Sequence, residues 1–140
     1  MACETVFVDT SGFYALLTLK DRWHSEAANI FKKMQKNKTR VLTTDYVLGE
    51  TATLLLARGF GHQAVKFFEL IRSSSALTVH HVDADLFAAA QKFFIKNIDQ
   101  GYSFTDCTSF LTMRLLKLKN ALTSDAHFVR AGMKVMLSGR

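Results

Sequence analysis

Short runs of strand-forming residues alternate along this chain with stretches of helical periodicity, and that alternation leaves few architectures open. Thr5–Val8, Val41–Thr43 and Leu77–Val82 read as strands, a fourth strand ends near Thr123, and Val135–Leu137 reads as a last edge strand. Between them, Phe13, Leu16 and Leu17 fall at helical spacing after the turn Thr10-Ser11-Gly12, and Ala27, Ile30, Phe31 and Met34 stripe a helix from Trp23 to Gln35. Further helices are expected from a Thr44 or Asp45 cap to about Arg58, from Gly61 to Arg72, from Ala84 to Lys96, from a Ser103 or Thr105 cap to about Leu118, and from Asp125 to Arg130. Gly59 is a conventional helix stop. Strands separated by helices do not pair as hairpins; they build a parallel sheet covered by helices. The expected fold class is therefore α/β, in one domain over residues 1–140.

In such sheets ligands bind beyond the carboxyl ends of the strands, and two acids stand there. Asp9 closes the run Thr5–Val8, and Asp125 follows the stretch Ala121-Leu122-Thr123-Ser124. Two more acids lie on apolar helix stripes. Glu50 shares a face with Val47 and Leu54, and Asp106 shares one with Phe110 and Met113. Taken singly, each has an ordinary role: Asp9 in a turn, Glu50 paired with Arg58 or turned outward to solvent, Asp106 as a first-turn acid and Asp125 as a cap. Four acids gathered out of water repel one another and lose hydration, so they persist only with compensating cations or protons. For a set of oxygen donors the natural compensator is a hard divalent cation, Mg²⁺ or Mn²⁺.

The rest of the chain is basic. Against 12 Asp and Glu stand 18 Lys and Arg, a net charge of +6 that suits RNA, DNA or an acidic protein as partner. Lys20, Arg22 and Arg58 are candidate phosphate contacts, and Tyr102 and Phe104 candidate base-stacking residues, with core packing the stronger reading for Phe104. No uncharged run exceeds ten residues, too short to span a bilayer, and the N-terminus lacks the features of a signal peptide. Cys3 and Cys107 have neither metal-site spacing nor a disulfide framework, so a reducing, cytoplasmic setting is expected. Adjacent His80 and His81 on a strand end point to opposite faces and do not chelate together.

The strings Val8-Asp9-Thr10-Ser11, Gly49-Glu50-Thr51, Ser103-Phe104-Thr105-Asp106-Cys107 and Thr123-Ser124-Asp125-Ala126-His127-Phe128 resemble, in order, the motifs of PIN-domain ribonucleases, most closely the VapC-type toxins of toxin–antitoxin pairs. The resemblance runs from Thr5 to about Leu137, and Asp21 with His24 fits a D-x-x-H pattern common after the first helix in these proteins. It implies a three-layer α/β/α fold with a short central parallel sheet. It also implies a Mg²⁺- or Mn²⁺-dependent endoribonuclease whose acids match Asp9, Glu50, Asp106 and Asp125, with Thr10, Ser11 and Thr123 as supporting hydroxyls and Asp99 as an outer acid. Asp9 and Asp106 are expected as direct metal ligands, Glu50 and Asp125 as partners acting through water. A cognate antitoxin, an RNA substrate such as tRNA or rRNA, and a homodimer are the implied partners. Three other readings stay open at this level: a PIN nuclease of RNA processing without an antitoxin, a Mg²⁺-binding phosphoacceptor module, and a non-catalytic RNA-binding domain.

Overall fold

A computed structural model describes residues 4–139. The chain runs β1 (Thr5–Val8), α1 (Thr10–Leu17), α2 (His24–Lys36), β2 (Arg40–Thr44), α3 (Asp45–Ala57), α4 (Gly61–Ser73), β3 (Leu77–His80), α5 (Ala84–Lys96), a 3₁₀ turn (Ile98–Gln100), α6 (Phe104–Leu115), β4 (Asn120–Leu122), α7 (Ala126–Arg130) and β5 (Lys134–Val135). The five strands form one sheet in the order β3-β2-β1-β4-β5, and every pairing is parallel. The expected α/β fold with a short parallel sheet is the observed one.

Strand order decides where a site can form. From β1 the chain steps outward to β2 and β3, then returns to the other side of β1 to lay down β4 and β5. Right-handed crossovers, the rule for parallel connections, put α1 to α4 on one face and α5 to α7 on the other. The direction reverses between β1 and β4, so the crevice of this sheet opens at their carboxyl ends. Side chains alternate along β1. Phe7 meets Phe128 of α7 at 6.4 Å between ring centroids, and Phe128 meets Phe110 of α6 at 4.9 Å, edge to face. Val6 and Val8 face the opposite layer, where Phe13 of α1 packs on Phe67 of α4 at 5.0 Å. All of these side chains are buried in one core.

Gly12 holds α1 against β4. A Cβ there would collide with the backbone carbonyl of Leu122, so only glycine lets the helix approach the strand this closely. Differences from the sequence reading lie at element ends. β3 stops at His80 because the Val82 amide is taken by Asp45 Oδ1 at 2.9 Å. α6 stops at Leu115 because Lys117 turns into the left-handed region (φ 58°) and the Leu118 amide returns to the Met113 carbonyl. β5 begins one residue early and stops at Val135, although Met136 and Leu137 still donate to the carbonyls of Ala121 and Thr123. The loop at Asp99 is a 3₁₀ turn closed by Gly101 at φ 75°.

Candidate active site

Asp9 is the residue after β1 and Thr123 the residue after β4, so the sheet itself brings them together. The Asp9 amide donates to the Leu122 carbonyl at 3.2 Å, carrying the β1–β4 ladder one residue past β1. The Thr123 hydroxyl donates to Asp9 Oδ2 at 3.0 Å. A hydroxyl has one proton to give, so the Ser11 hydroxyl, 2.8 Å from Thr123 Oγ1, must be the donor in that pair. Ser11 Oγ in turn accepts from the Ser124 amide, and Thr123 Oγ1 accepts from the Asp125 amide. Two hydroxyls thus tie the acid after β1 to the segment after β4 and leave Asp9 one orientation.

Asp106 is fixed by the start of its own helix. Ser103 caps α6 by accepting from the Asp106 amide at 3.0 Å, and Asp106 Oδ2 accepts from the Ser103 amide at 3.1 Å, a reciprocal capping box. Phe110 and Met113, on the same helix face, are fully buried, which draws Asp106 inward as their spacing requires. Asp125 caps α7 by accepting from the His127 amide. Capping and a place in the candidate site are therefore compatible for both residues.

His127 was not among the sequence candidates. Its Nδ1 lies 3.2 Å from Asp106 Oδ2 and 3.5 Å from Asp125 Oδ1, and the three residues offer donor atoms within 4.8 Å of one another. The signal was its place two residues past a helix-capping acid, which puts the ring beside that carboxylate. The contact with Asp106 is tertiary and left no local trace. The ring rests edge-on against Tyr102, whose burial assigns Tyr102 to packing. Phe104 likewise lies in an aromatic cluster with Tyr46, Phe87 and Phe94.

Asp9, Glu50, Asp106 and Asp125 line one open cleft of about 320 Å³, with Thr10, Ser11, Asp21, Arg22 and Arg58 also on its walls. Glu50 differs from expectation. Helix α3 buries Val47, Thr51 and Leu55, which leaves Glu50 at the edge of the buried stripe and exposed to solvent. Asp99 is exposed on the 3₁₀ turn and does not line the cleft. Asp21 holds the turn before α2 by accepting from the Trp23 amide, and His24 Nδ1 meets the Ala15 carbonyl at 2.8 Å, so the D-x-x-H pair fastens α2 to α1. Cys107, beside Asp106, is fully buried, and burial pushes its thiol up to about 11, a packing residue and no nucleophile. Cys3 lies outside the described residues. The cleft's lining cations are arginines, with no lysine among the described residues to serve a phosphoacceptor aspartate.

Electrostatics show what the cleft requires. Burial, joined by the charges of Asp106 and Glu50, pushes the Asp9 carboxyl up to about 7 against the lowering effect of the Thr10 amide and the Thr123 hydroxyl. Asp106 is also raised, first by burial and then by Asp125, with the Ser103 amide and His127 opposing. A divalent cation fits this donor set, because it supplies the positive charge that these carboxylates lack. Thr10 Oγ1, buried in the cleft wall without a hydrogen-bond partner, is a further polar atom turned to no protein group.

The chain matches the PIN domain family model over residues 6–134 and belongs to that family, whose nucleases depend on a metal. Within the family it is similar to named ribonucleases. It is 40% identical over 128 residues to the 23S rRNA-specific endonuclease VapC20 of Mycobacterium tuberculosis, a match covering 91% of this chain and 94% of the relative. It is 30% identical over 123 residues to a VapC ribonuclease of Archaeoglobus fulgidus, covering 86% and 77% of the two chains. The crystal structure of VapC20, described as a toxin that cleaves the sarcin–ricin loop, superimposes with a TM-score of 0.80 at 38% identity, covering 91% of this chain and 95% of that one.

Proposed function

We propose that this protein is a metal-dependent endoribonuclease and the toxin of a toxin–antitoxin pair, acting in the cytoplasm as a single nuclease domain. The observation that carries the reading is the convergence of Asp9, Glu50, Asp106 and Asp125 on one cleft at the reversal point of the sheet. Asp9 and Asp106 would hold the cation directly, and Asp125 and Glu50 would act through water. Thr123 and Ser11 hold Asp9 in register with Asp125, and His127 holds Asp106. Mg²⁺ or Mn²⁺, when bound, supplies the charge that acidifies water and balances the negative charge developing on the phosphate. Glu50, exposed on the cleft wall, orients the attacking water and takes its proton. The water oxygen bonds to phosphorus, the bond from phosphorus to the 3′-oxygen breaks, the departing 3′-oxygen takes a proton from solvent, and the products carry a 5′-phosphate and a 3′-hydroxyl. The 2′-hydroxyl takes no part, so no cyclic phosphate forms.

Similarity over nearly the whole chain to an endonuclease named for 23S rRNA supports ribosomal RNA as substrate in preference to tRNA. The same similarity supports a cognate antitoxin that covers the cleft and inserts a cation among its acids. Exposed apolar residues on α3 and α4, Leu56, Val65 and Phe68, support a homodimer. The direct test is sequencing of 5′ ends in cells after brief induction. Wild type should create a dominant new end in large-subunit rRNA, and Asp106→Asn none. A dominant end in a tRNA would reassign the substrate; no new end with soluble wild-type protein would remove the nuclease reading.

A further inference from the structure

The cleft does not end at its acids. Arg22 and Trp23, in the connection between α1 and α2, line both the cleft and an adjoining groove of about 550 Å³ that continues past Ser25, Asn29 and Lys33. The two cations on the cleft wall share one arrangement. The Arg22 guanidinium lies 4.7 Å over the Trp23 ring, and that of Arg58, after α3, lies 4.9 Å over Tyr14. Arginines bordering a cluster of carboxylates ordinarily pair with them. Here, among the described residues, every close acid–base pair involves a histidine instead. Both guanidinium groups are therefore steadied by a ring while their N–H donors stay available to another anion. The groove's lining acid, Glu26, is occupied: its two oxygens accept from the amides of Ser138 and Gly139 at 3.2 and 3.1 Å.

We propose that Trp23 and this groove form a nucleobase subsite for single-stranded RNA next to the cut. The subsite rests on the nuclease reading and extends it from the scissile phosphate to the neighbouring nucleotide. One base stacks on Trp23, the next nucleotide follows the groove toward Asn29 and Lys33, and Arg22 and Arg58 hold the phosphates on either side. A base–aromatic stack is stronger than an exposed guanidinium–ring contact. The base therefore takes the ring, and Arg22 turns to the phosphate. Duplex RNA keeps its bases stacked inside the helix and cannot offer one to the ring. The subsite thus selects an unpaired segment, a loop or a bulge.

Trp23 is the single tryptophan of the chain, so its fluorescence reports on the subsite alone. The experiment titrates Asp9→Asn protein, which holds RNA without cutting it, with a dye-labelled single-stranded 12-mer of mixed sequence and with the same sequence as duplex. Anisotropy reads binding and the tryptophan reads stacking. Single-stranded RNA should quench Trp23 and duplex should not. Trp23→Ala should weaken single-strand binding about 5- to 150-fold, and Trp23→Phe should restore most of it, which separates stacking from folding. Arg22→Ala should flatten the dependence of log K on log salt by about 0.7, the contribution of one phosphate contact. Binding without quenching, equal quenching by duplex, unchanged affinity in Trp23→Ala, or no binding at all would overturn the subsite. Wild type is assayed for cleavage in parallel. Cleavage without quenching removes the subsite and keeps the nuclease; quenching without cleavage does the reverse.

Discussion

Replacing Asp9 with Asn should make the metal-free protein more stable while ending its chemistry. Burial moves this carboxyl from 3.8 to about 7. A shift of about three pKa units corresponds to about 4 kcal/mol for charging the folded protein. The folded carboxyl holds its proton more tightly than the unfolded one. The penalty is therefore absent below about pH 4, grows between about pH 4 and 7, and is complete above about pH 7. An Asn amide still accepts the Thr123 hydroxyl but keeps a polar desolvation cost of about 1–2 kcal/mol. The expected net gain at pH 8 is thus about 2–3 kcal/mol. At about 3–4 °C per kcal/mol for a chain of this size, that is a rise of about 6–12 °C in Tm. Thermal melts in EDTA at pH 8 and pH 4 check it: the gain should appear at the first, and at the second, where only the Asn cost remains, the variant should melt no higher than wild type. Saturating Mg²⁺ at pH 8 should raise the wild-type Tm and move the variant far less, because the cation offsets the charge that Asn has removed. A variant no more stable than wild type at pH 8 in EDTA, or equally stabilised at both pH values, would refute the reasoning.

Other expectations follow from single contacts. Thr123→Val removes the hydroxyl that joins Asp9, Ser11 and the Asp125 amide; it should cost about 1–3 kcal/mol in chemical denaturation and most of the cleavage activity. Gly12→Ala drives a Cβ into the Leu122 carbonyl; a loss of about 1–3 kcal/mol should accompany a weakened metal-induced thermal shift, because the contact sets the spacing of α1 and β4. His127→Ala leaves Asp106 without its tertiary partner, and calorimetry should show metal affinity falling about 10- to 100-fold with little change in Tm.

Much of the site was legible because two of its acids follow strands and two sit on helix stripes. A strand end in an alternating α/β chain has a known place, so Asp9 and Asp125 were positioned by chain order alone. Asp106 was positioned by Phe110 and Met113, whose burial rotates its face inward. The same logic overreached for Glu50. Val47 and Leu54 bracket it, but the stripe of α3 centres on Val47, Thr51 and Leu55 and leaves Glu50 on the rim. A short stripe fixes a helix's rotation only to within about a residue, which matters at its edges. Asp99 was legible as an acid near the site, yet its turn points elsewhere, a matter of loop geometry that composition does not encode. His127 was hidden for another reason. Its partner Asp106 is 21 residues away and meets it only after α6 and α7 have packed through Phe110 and Phe128.

The most direct measurement is the chemistry of the ends made by purified protein. A 5′-labelled RNA carrying the large-subunit rRNA segment cut in cells should be cleaved in Mg²⁺ or Mn²⁺, remain intact in EDTA, and yield fragments with 5′-phosphate and 3′-hydroxyl ends. Asp9→Asn and Asp106→Asn proteins should leave it whole. Cleavage that survives EDTA, cleavage by those variants, or fragments ending in a 2′,3′-cyclic phosphate would contradict a metal held by these acids at the reversal point of the sheet.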